Sequence, residues 1–455
     1  MKLRSHALIA LTAALAGCVL TDTPRDPALQ SAVPLPAREM AAAAGEAASF
    51  EAPMIAPDTP APAAQDIWGR LEAGFRLPQA RHQRVNSHVR WYRKHPEHLK
   101  RVFGRAEPLL FYILEQVERR GMPSEIALLP VVESAYEPFA YSHGRAAGLW
   151  QFVPATGRRF GLKQNWWYDG RRDIVESTRA ALDYLEYLHG RYDDWLLALA
   201  AYNSGEGTVS RAIRTNRRKG IPTDFWHLRL PRETRAYVPR LLALQTVLAD
   251  PSIRETLPPI ANEPRLVTVY TGGQIDLAVA AELANVPLET VYRLNPGFNR
   301  WATAPDGPHR LLLPVEAAAR FEARVAGLSD SERVRWQRHR IARGENLGRI
   351  ARRYETTVAL LREVNRLSGS TIRAGDWLLI PVAHADFADR PPVRGVSQRV
   401  HYRVRKGDSL WHIARRFGVT TRDLVRWNKL SRDKYLQPGQ RLTIHVDVTR
   451  VAEAI

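Results

Sequence analysis

A repeated spacing in the second half of the chain constrains its fold more than any other feature. A leucine precedes an asparagine by 18 residues three times, in the pairs Leu277 and Asn295, Leu347 and Asn365, and Leu410 and Asn428. Each asparagine is followed by a short apolar run, at 311–314, 377–381 and 441–446. The pattern predicts three strand–helix–helix–strand units of about 45 residues each. Because so small a unit buries little core, we expect its helices to cover one face of a two-stranded sheet.

Residues 66–253 show helical spacing instead and predict one compact α-helical domain. The segment 173–192 carries an apolar face, and Asp173 is placed to cap its start. The segment 195–205 is apolar on nearly every side, which predicts a buried helix. A further helix is expected over 233–249, bent or restarted at Pro239.

The first 18 residues are typical of an export signal. Lys2 and Arg4 precede an apolar run at 7–17, which is much shorter than the roughly 20 residues of a membrane-spanning helix. The run ends in Leu-Ala-Gly-Cys, which resembles the lipobox of bacterial lipoproteins and implies cleavage and acylation at Cys18. The residue after Cys18 is Val19 and not Asp, which resembles the pattern that sorts Gram-negative lipoproteins to the outer membrane. The alternative is an incidental cysteine within a secretory signal.

Composition limits the kinds of site and of binding partner that the chain can have. Cys18 is the only cysteine, so an internal disulfide or thiolate metal cluster is excluded. The net charge of +19 favours an anionic partner, and an exported chain is not expected to meet nucleic acid. Residues 19–65 are rich in alanine and proline, which predicts a linker. The histidines show no metal-ligand spacing, and we expect neither a metal nor a cofactor.

An apolar run at 126–132 ends on the carboxylate of Glu133, and Glu137 follows four residues later. A carboxyl group held against an apolar wall near a helix C-terminus has a raised pKa, as a general acid requires. Taken alone, however, a surface glutamate at a frayed helix end explains this pattern better.

The residues downstream of Glu133 change that balance. Ser142 and Gln151 lie nine and eighteen residues further on, separated by a loop of small residues, 144–148, that we expect to be mobile. AYNSGEG (201–207) and ETRAYVPRLLAL (233–244) follow. Over residues 85–253 this order of motifs resembles the lysozyme-like domain of lytic transglycosylases.

The resemblance implies roles for individual residues. Glu133 matches the single catalytic glutamate, and Ser142 matches a serine that forms hydrogen bonds near it. The residues that match substrate contacts or their neighbours are Gln151, Tyr202, Asn203 and Tyr237. The implied reaction cleaves the bond between N-acetylmuramic acid (MurNAc) and N-acetylglucosamine (GlcNAc) and leaves a 1,6-anhydro end. Arg145 occupies a variable loop, and its role is open.

Two other functions remain alternatives. A muramidase of similar fold needs a second carboxylate, for which the candidates are Glu137, Asp169, Asp173 and Glu206. Asp173 fits a helix cap better, Asp169 a turn, and Glu206 a loop contact. A glycan-binding lipoprotein without activity is the third reading. Trp150, Trp166, Trp167 and Trp195 either stack on sugars or belong to the core.

The last two repeat units, here the middle module (338–382) and the C-terminal module (400–446), resemble LysM domains. The resemblance implies binding of GlcNAc polymers through Gly344, Asn365, Gly407, Asp408, Ser409 and Asn428. For Asn428 a purely structural role as a cap or turn is an equal alternative. The first module (264–316) lacks the Gly-Asp/Glu turn and is only LysM-like. The middle module has Gly348 where the C-terminal module has Trp411.

These expectations combine into a multidomain chain. It consists of a signal peptide (1–18), a linker (19–65), a mainly α lysozyme-like catalytic domain (66–253), the three small α+β modules with βααβ order, and a linker at 383–399. The expected partners are peptidoglycan and, through lipid on Cys18, the periplasmic face of the outer membrane of a Gram-negative bacterium.

Overall fold

A computed structural model of the protein describes residues 66–334, 336–354, 356–365, 367–381, 397–430 and 435–449. The predicted signal peptide, Cys18 and the linker 19–65 lie outside these residues, as does most of the linker 383–399. Within the described ranges, no helix has both the length and the apolar character needed to cross a membrane.

The first part of the described chain is helical. Its elements are α1 (Ile67–Ala73), α2 (Gln83–Lys94), α3 (Pro96–Arg119), a 3-10 turn (Ser124–Leu128), α4 (Leu129–Glu133), α5 (Pro154–Arg159), α6 (Ile174–Tyr192), α7 (Trp195–Ser204), α8 (Glu206–Arg218), α9 (Thr234–Leu248) and α10 (Pro251–Arg254). One apolar core joins these helices, as predicted for a compact α-helical domain.

Capping carboxylates mark where the central helices begin. Asp173 accepts a 2.8 Å hydrogen bond from the Glu176 amide at the start of α6, which confirms its predicted role. Asp194 caps α7 in the same way, through the Leu197 amide at 3.0 Å. Residues 196–201 of α7 are all buried, as their apolar character on every side predicts.

The helix over 233–249 is not restarted at its proline. Pro239 lies inside the single helix α9. It stands close to the N-terminus and removes one intrahelical bond, to the carbonyl of the exposed Arg235, which solvent can hydrate. The loss of one bond at this position is too small to end a helix whose inner face is buried.

Three modules follow the helical domain. The first contains β1 (Leu266–Tyr270), α11 (Leu277–Ala284), α12 (Leu288–Leu294), β2 (Arg310–Pro314), α13 (Val315–Val325) and α14 (Asp330–Arg333). The middle module contains β3 (Trp336–Arg340), α15 (Leu347–Arg353), α16 (Val358–Val364) and β4 (Trp377–Pro381). The C-terminal module contains β5 (Ser397–Arg403), α17 (Leu410–Phe417), α18 (Thr421–Asn428) and β6 (Arg441–Asp447). Each has one antiparallel strand pair.

The repeated asparagine joins the second helix of each module to its last strand. The side-chain amide of Asn428 donates to the carbonyls of Leu424 (3.0 Å) and Thr443 (2.8 Å), and its Oδ1 accepts from the Thr443 amide at 2.6 Å. The same three bonds recur at Asn365 and at Asn295, with the corresponding helix and strand residues. We call this arrangement the asparagine clasp. The leucine that precedes each asparagine by 18 residues is the first residue of α11, α15 or α17.

The clasp supplies a structural role for Asn365 and Asn428, whose contact with glycan stays a prediction. In both residues the two amide hydrogens are used within the module, so neither is available to a sugar. The structural alternative for Asn428 therefore fits its contacts.

The Gly-Asp/Glu turn is also part of the module's framework. Asp408 accepts 2.7 Å hydrogen bonds from the Tyr402 hydroxyl and the Arg405 amide, and Ser409 caps α17 through the His412 amide. Gly344 and Gly407 have φ angles of +85° and +87°, which glycine adopts most readily. The Asp408 and Ser409 side chains thus stabilise the turn.

We predict that Asn428→Ala destabilises the C-terminal module by about 2–3 kcal/mol. The Leu424 carbonyl and the Thr443 amide and carbonyl would lose their hydrogen-bond partner at a partly buried position. Thermal unfolding of the full chain measures the change. Arg422→Ala, at an exposed position of α18, is the control and should leave the transition unchanged. An unaltered transition for Asn428→Ala would contradict the clasp's structural role.

Candidate active site

The last residue of α4 is Glu133, which the fold places at the edge of the helical core. The 3-10 turn is buried, and so are residues 129–131 at the start of α4. Glu133 itself is half-buried. Tyr237 of α9 donates its hydroxyl to Glu133 Oε1 at 2.5 Å. A carboxyl group is thus anchored on the core by one strong donor while part of the residue stays open to a ligand.

The backbone turns sharply immediately after Glu133. Ala135 and Tyr136 have φ angles of +53° and +55°, an unfavourable region for residues with a side chain. The surrounding structure holds them there, because Arg105 Nε donates to the Ala135 carbonyl at 2.8 Å and the Tyr136 hydroxyl donates to the Ala127 carbonyl at 2.6 Å. The turn follows directly on the end of α4 at Glu133.

Removal of its carboxyl group from water raises the pKa of Glu133 to about 7. The hydrogen bond from Tyr237 acts in the opposite direction, and the negative charge of Glu233 adds to the rise. Burial also raises the pKa of Tyr237 well above its usual range, so its hydroxyl remains a donor. Glu133 can therefore hold or release a proton near neutral pH, as a general acid and base must.

Helices α7 and α9 complete the surroundings of this carboxyl. The Tyr202 hydroxyl donates to the Trp150 carbonyl at 2.8 Å. Burial raises the pKa of Tyr202, and the charge of Glu133 adds to the rise. Asn203 Oδ1 accepts from Thr234 Oγ1 at 2.8 Å, which joins the end of α7 to the first turn of α9. Glu133, Tyr202, Asn203 and Tyr237 thus come together at one place.

Ser142 and Gln151 lie on a neighbouring segment, residues 139–152, which we call the active-site loop. Ser142 closes a turn with Ala146: its amide donates to the Ala146 carbonyl at 2.9 Å, and its Oγ accepts from the Ala146 amide at 3.0 Å. Gln151 has a φ of +49° and donates through Nε2 to the Gly148 and Ala140 carbonyls. Trp150, which directly precedes Gln151, carries the carbonyl that accepts the hydrogen bond from the Tyr202 hydroxyl.

The structure differs from the expectation that residues 144–148 form a mobile stretch. Bridges join Ala147 to Tyr141 and to Phe152. Gly148 has a φ of +81°, and a Cβ atom there would lie 2.0 Å from the Arg171 carbonyl oxygen. Glycine is needed at 148 for close packing against residue 171, and the active-site loop is held firmly.

The candidates for a second catalytic carboxylate all have other partners. Asp169 forms a buried ion pair with Arg171 (2.6 Å), which lowers its pKa against the effect of burial, and Asp173 caps α6. Glu206 pairs with Arg159, and Glu137 accepts from the Phe139 amide at 3.3 Å.

The tryptophans divide between core and surface. Trp150 is fully buried and donates to Thr178, and Trp167 is buried as well. Trp166 and Trp195 are half-buried, with Trp195 stacked on His189. Trp150 and Trp167 therefore belong to the core.

Sequence reasoning missed the buried Arg171 and Arg172. Arg171 donates to the Arg145 carbonyl (2.8 Å) and the Phe152 carbonyl (3.3 Å), and so binds the active-site loop at its middle and at its end. Two adjacent arginines after an aspartate were the only signal, and consecutive charges ordinarily indicate a solvated turn.

Comparisons with known proteins agree on a family. The Transglycosylase SLT domain matches residues 112–225, the LysM domain matches 339–381 and 402–445, and the family described as Lytic transglycosylase MltD, LysM-like domain matches 265–330. The last of these covers the module that the sequence identified only as LysM-like.

Individual relatives extend the match. Membrane-bound lytic murein transglycosylase D of Escherichia coli (strain K12) is 37% identical over 426 residues, covering 89% of this chain and 92% of that protein. A putative tributyltin chloride resistance protein of Alteromonas sp. (strain M-1) is 42% identical over 36% of this chain and 79% of its own length. Among solved structures, an inactive mutant of lytic transglycosylase Slt from Pseudomonas aeruginosa is 28% identical, with a TM-score of 0.26 over 33% of this chain and 25% of that chain.

We predict that the Glu133 carboxyl titrates with a midpoint near pH 7 and that Tyr237→Phe moves the midpoint to higher pH, because the variant lacks the donor that favours the carboxylate. Carboxyl-carbon NMR of the full chain measures it, with Glu133→Gln identifying the resonance. Tyr202→Phe is the matched control, since its hydroxyl donates to Trp150 and not to Glu133. A midpoint near 4.5 in the wild-type chain would contradict the assignment.

Proposed function

Because the chain belongs to the family of membrane-bound lytic murein transglycosylase D, we propose that Glu133 is the catalytic acid and base of its active site. The protein is a lytic transglycosylase, a non-hydrolytic lyase that acts on peptidoglycan. The observation that carries the residue assignment is the carboxyl of Glu133, held by Tyr237 and with its pKa raised to about 7.

In the first step, the protonated Glu133 transfers its proton to the oxygen that links MurNAc to GlcNAc. The bond between MurNAc C1 and that oxygen breaks, and GlcNAc leaves with a free hydroxyl group. Positive charge develops at C1, and the carbonyl oxygen of the substrate's own 2-acetamido group stabilises it. Glu133 is now a carboxylate and receives the Tyr237 hydrogen bond.

In the second step, the Glu133 carboxylate takes the proton from the C6 hydroxyl of the same MurNAc. The O6 atom attacks C1 and closes the 1,6-anhydro ring, and Glu133 returns to its protonated form. Water is not consumed. Because the nucleophile belongs to the same sugar as C1, its high effective concentration replaces the second carboxylate of a hydrolase.

The neighbouring residues serve binding and positioning. Tyr237 orients Glu133 directly, and Tyr202 joins the wall around the carboxyl to the Trp150 carbonyl. Ser142, Gln151 and Asn203 are proposed substrate contacts. Among the described residues, both hydrogen bonds of the Gln151 side chain use Nε2, which leaves Oε1 to accept from a sugar hydroxyl or acetamide.

The modules extend contact with the polymer. We assign the catalytic domain to 66–253 and the two LysM modules to 338–382 and 400–446. The first module begins at 264 and extends past the predicted end at 316 to include α13 and α14. The proposed glycan surface of each LysM module is the backbone of its glycine turn, at Gly344 and at Gly407–Ser409, because the side chains of the turn stabilise the module itself. Several weak contacts on one chain raise the local concentration of substrate at the active site.

Attachment to the membrane is proposed through lipid on Cys18. The relatives whose names include "membrane-bound" support a membrane location, and the pattern Leu-Ala-Gly-Cys supports acylation of Cys18. Val19 favours sorting to the outer membrane. The linker 19–65 would then let the catalytic domain reach the glycan mesh from the periplasmic face.

We expect Glu133→Gln to lower the release of 1,6-anhydromuropeptides from purified sacculi by about 10²–10⁴-fold or more, since the amide cannot donate or take up the proton. Mass spectrometry of the soluble products is the measurement. It also separates this reaction from a muramidase, whose products are heavier by one water at the muramic end. Glu137→Gln, four residues away, is the matched control and should retain activity. Near wild-type release by Glu133→Gln would refute the assignment.

For the anchor, we expect the chain expressed in a Gram-negative host to incorporate labelled palmitate and to fractionate with the outer membrane. Cys18→Ala removes the acylated thiol and should abolish the label, while Val19→Asp should retain the label and move the protein to the inner membrane. Labelling of Cys18→Ala would show that the lipid is elsewhere.

A further inference from the structure

The active-site loop is packed between two bodies. On one side lies the segment 169–172 of the catalytic domain. Its Arg171 side chain binds loop carbonyls, and its backbone contacts Gly148. This side explains how the loop is held from within the catalytic domain.

The other side of the loop is covered by the C-terminal module. Phe139, Tyr141 and Ala147 are at most 9% exposed, and they share one apolar cluster with the core of that module. The module residues in this cluster include Val400, Tyr402, Val404, Ile413 and Phe417, and Val448, directly after β6, belongs to it as well. By contrast, the apolar cluster around Leu378 of the middle module consists of that module's own residues. Among the two LysM modules, the C-terminal one thus shares its core with the active-site loop.

Polar contacts also join the catalytic domain to the C-terminal module, and we call this contact region the junction. Arg172, 1% exposed, donates to the carbonyl of Val448 and to Asn299 Oδ1 of the first module. Arg300 donates to the Thr449 carbonyl at 3.1 Å. A buried guanidinium that loses its acceptors is costly, so these bonds favour the docked position of the module's last residues.

Positive charge from the module reaches the loop. His143 follows Ser142 in the loop. Burial lowers its pKa, the charge of Glu233 opposes this effect, and the charges of Arg405 and Arg416 reinforce it. Both arginines follow or flank module residues of the shared cluster, and Arg416 lies over the Tyr402 ring at 5.7 Å. The junction therefore borders the loop that carries the proposed substrate contact Ser142.

We propose that the C-terminal LysM module is a positioning element of the active site, which holds the loop bearing Ser142 and Gln151 in its working geometry. This inference rests on the proposed function and adds a second task to glycan binding. A module that acts only as a tether improves the capture of large sacculi. A module that positions the loop also determines the turnover of short glycans, for which capture by a tether is irrelevant.

The test measures kcat and KM of the full chain on short, soluble GlcNAc–MurNAc oligomers. Val448→Asp places a charge in the shared cluster from the module side, and Phe139→Ala opens the cluster from the loop side while the module's own residues stay intact. We expect kcat to fall by about 10–100-fold in each variant, since a displacement of about 1 Å costs as much. Amide hydrogen exchange at Ala146 and Ala147 should accelerate in parallel. The double variant should lose less than the product of the two single effects, because both act on one contact.

Leu378→Asp is the matched control, since it places the same charge in the core of the middle module, away from the loop. It should keep the wild-type kcat on short oligomers even if it weakens binding to sacculi. Wild-type kcat in both Val448→Asp and Phe139→Ala would overturn the inference and leave the proposed function intact. Absence of anhydro products from the wild-type chain would instead refute the proposed function.

Discussion

The buried guanidinium of Arg171 is the interaction on which the rest of the active site depends. It is 1% exposed, forms a 2.6 Å ion pair with Asp169, and donates to two carbonyls of the active-site loop. Removing such a charge from water costs several kcal/mol, which only a paired carboxylate and full hydrogen bonding can offset. Once these partners are in place, the loop has few alternative positions. The close approach of Gly148 to the Arg171 carbonyl belongs to the same arrangement.

Glu133 shows the opposite use of burial. Arg171 is given a counter-charge, whereas the Glu133 carboxyl receives a neutral donor, Tyr237, and lies near the charge of Glu233. Burial raises the pKa of Glu133, because the Tyr237 hydrogen bond opposes it only in part, while the charge of Arg171 lowers the pKa of Asp169 despite its burial. Two carboxyls of one domain are thus separated into a proton carrier and a structural anion by their partners alone. That separation suits a reaction in which the substrate supplies its own nucleophile.

Local features of the sequence predicted the elements well. Helix caps, apolar faces and the 18-residue repeat depend on neighbours a few residues apart, and Asp173, α7 and the βααβ modules follow from them. The role of the repeated asparagines was less accessible, since one spacing fits both a sugar contact and a clasp to a strand. The clasp depends on Thr443 and its counterparts, 14 to 17 residues further along the chain. Arg171, Gly148 and the restraint of the loop depend on contacts that no local pattern encodes.

The C-terminal module packs against the active-site loop, which distinguishes it from a module that acts only as a tether. A tether contributes through effective concentration, which depends on its length and is indifferent to the details of docking. A shared apolar cluster contributes through geometry, and it is lost if the module moves by a few ångströms. The residues that join Phe139 and Tyr141 to Val448 therefore link glycan capture to the conformation of the active-site loop. Since Arg172 binds both Val448 and Asn299, the first module takes part in the same linkage. The active-site loop is in this sense held by modules that begin more than a hundred residues after it in the sequence.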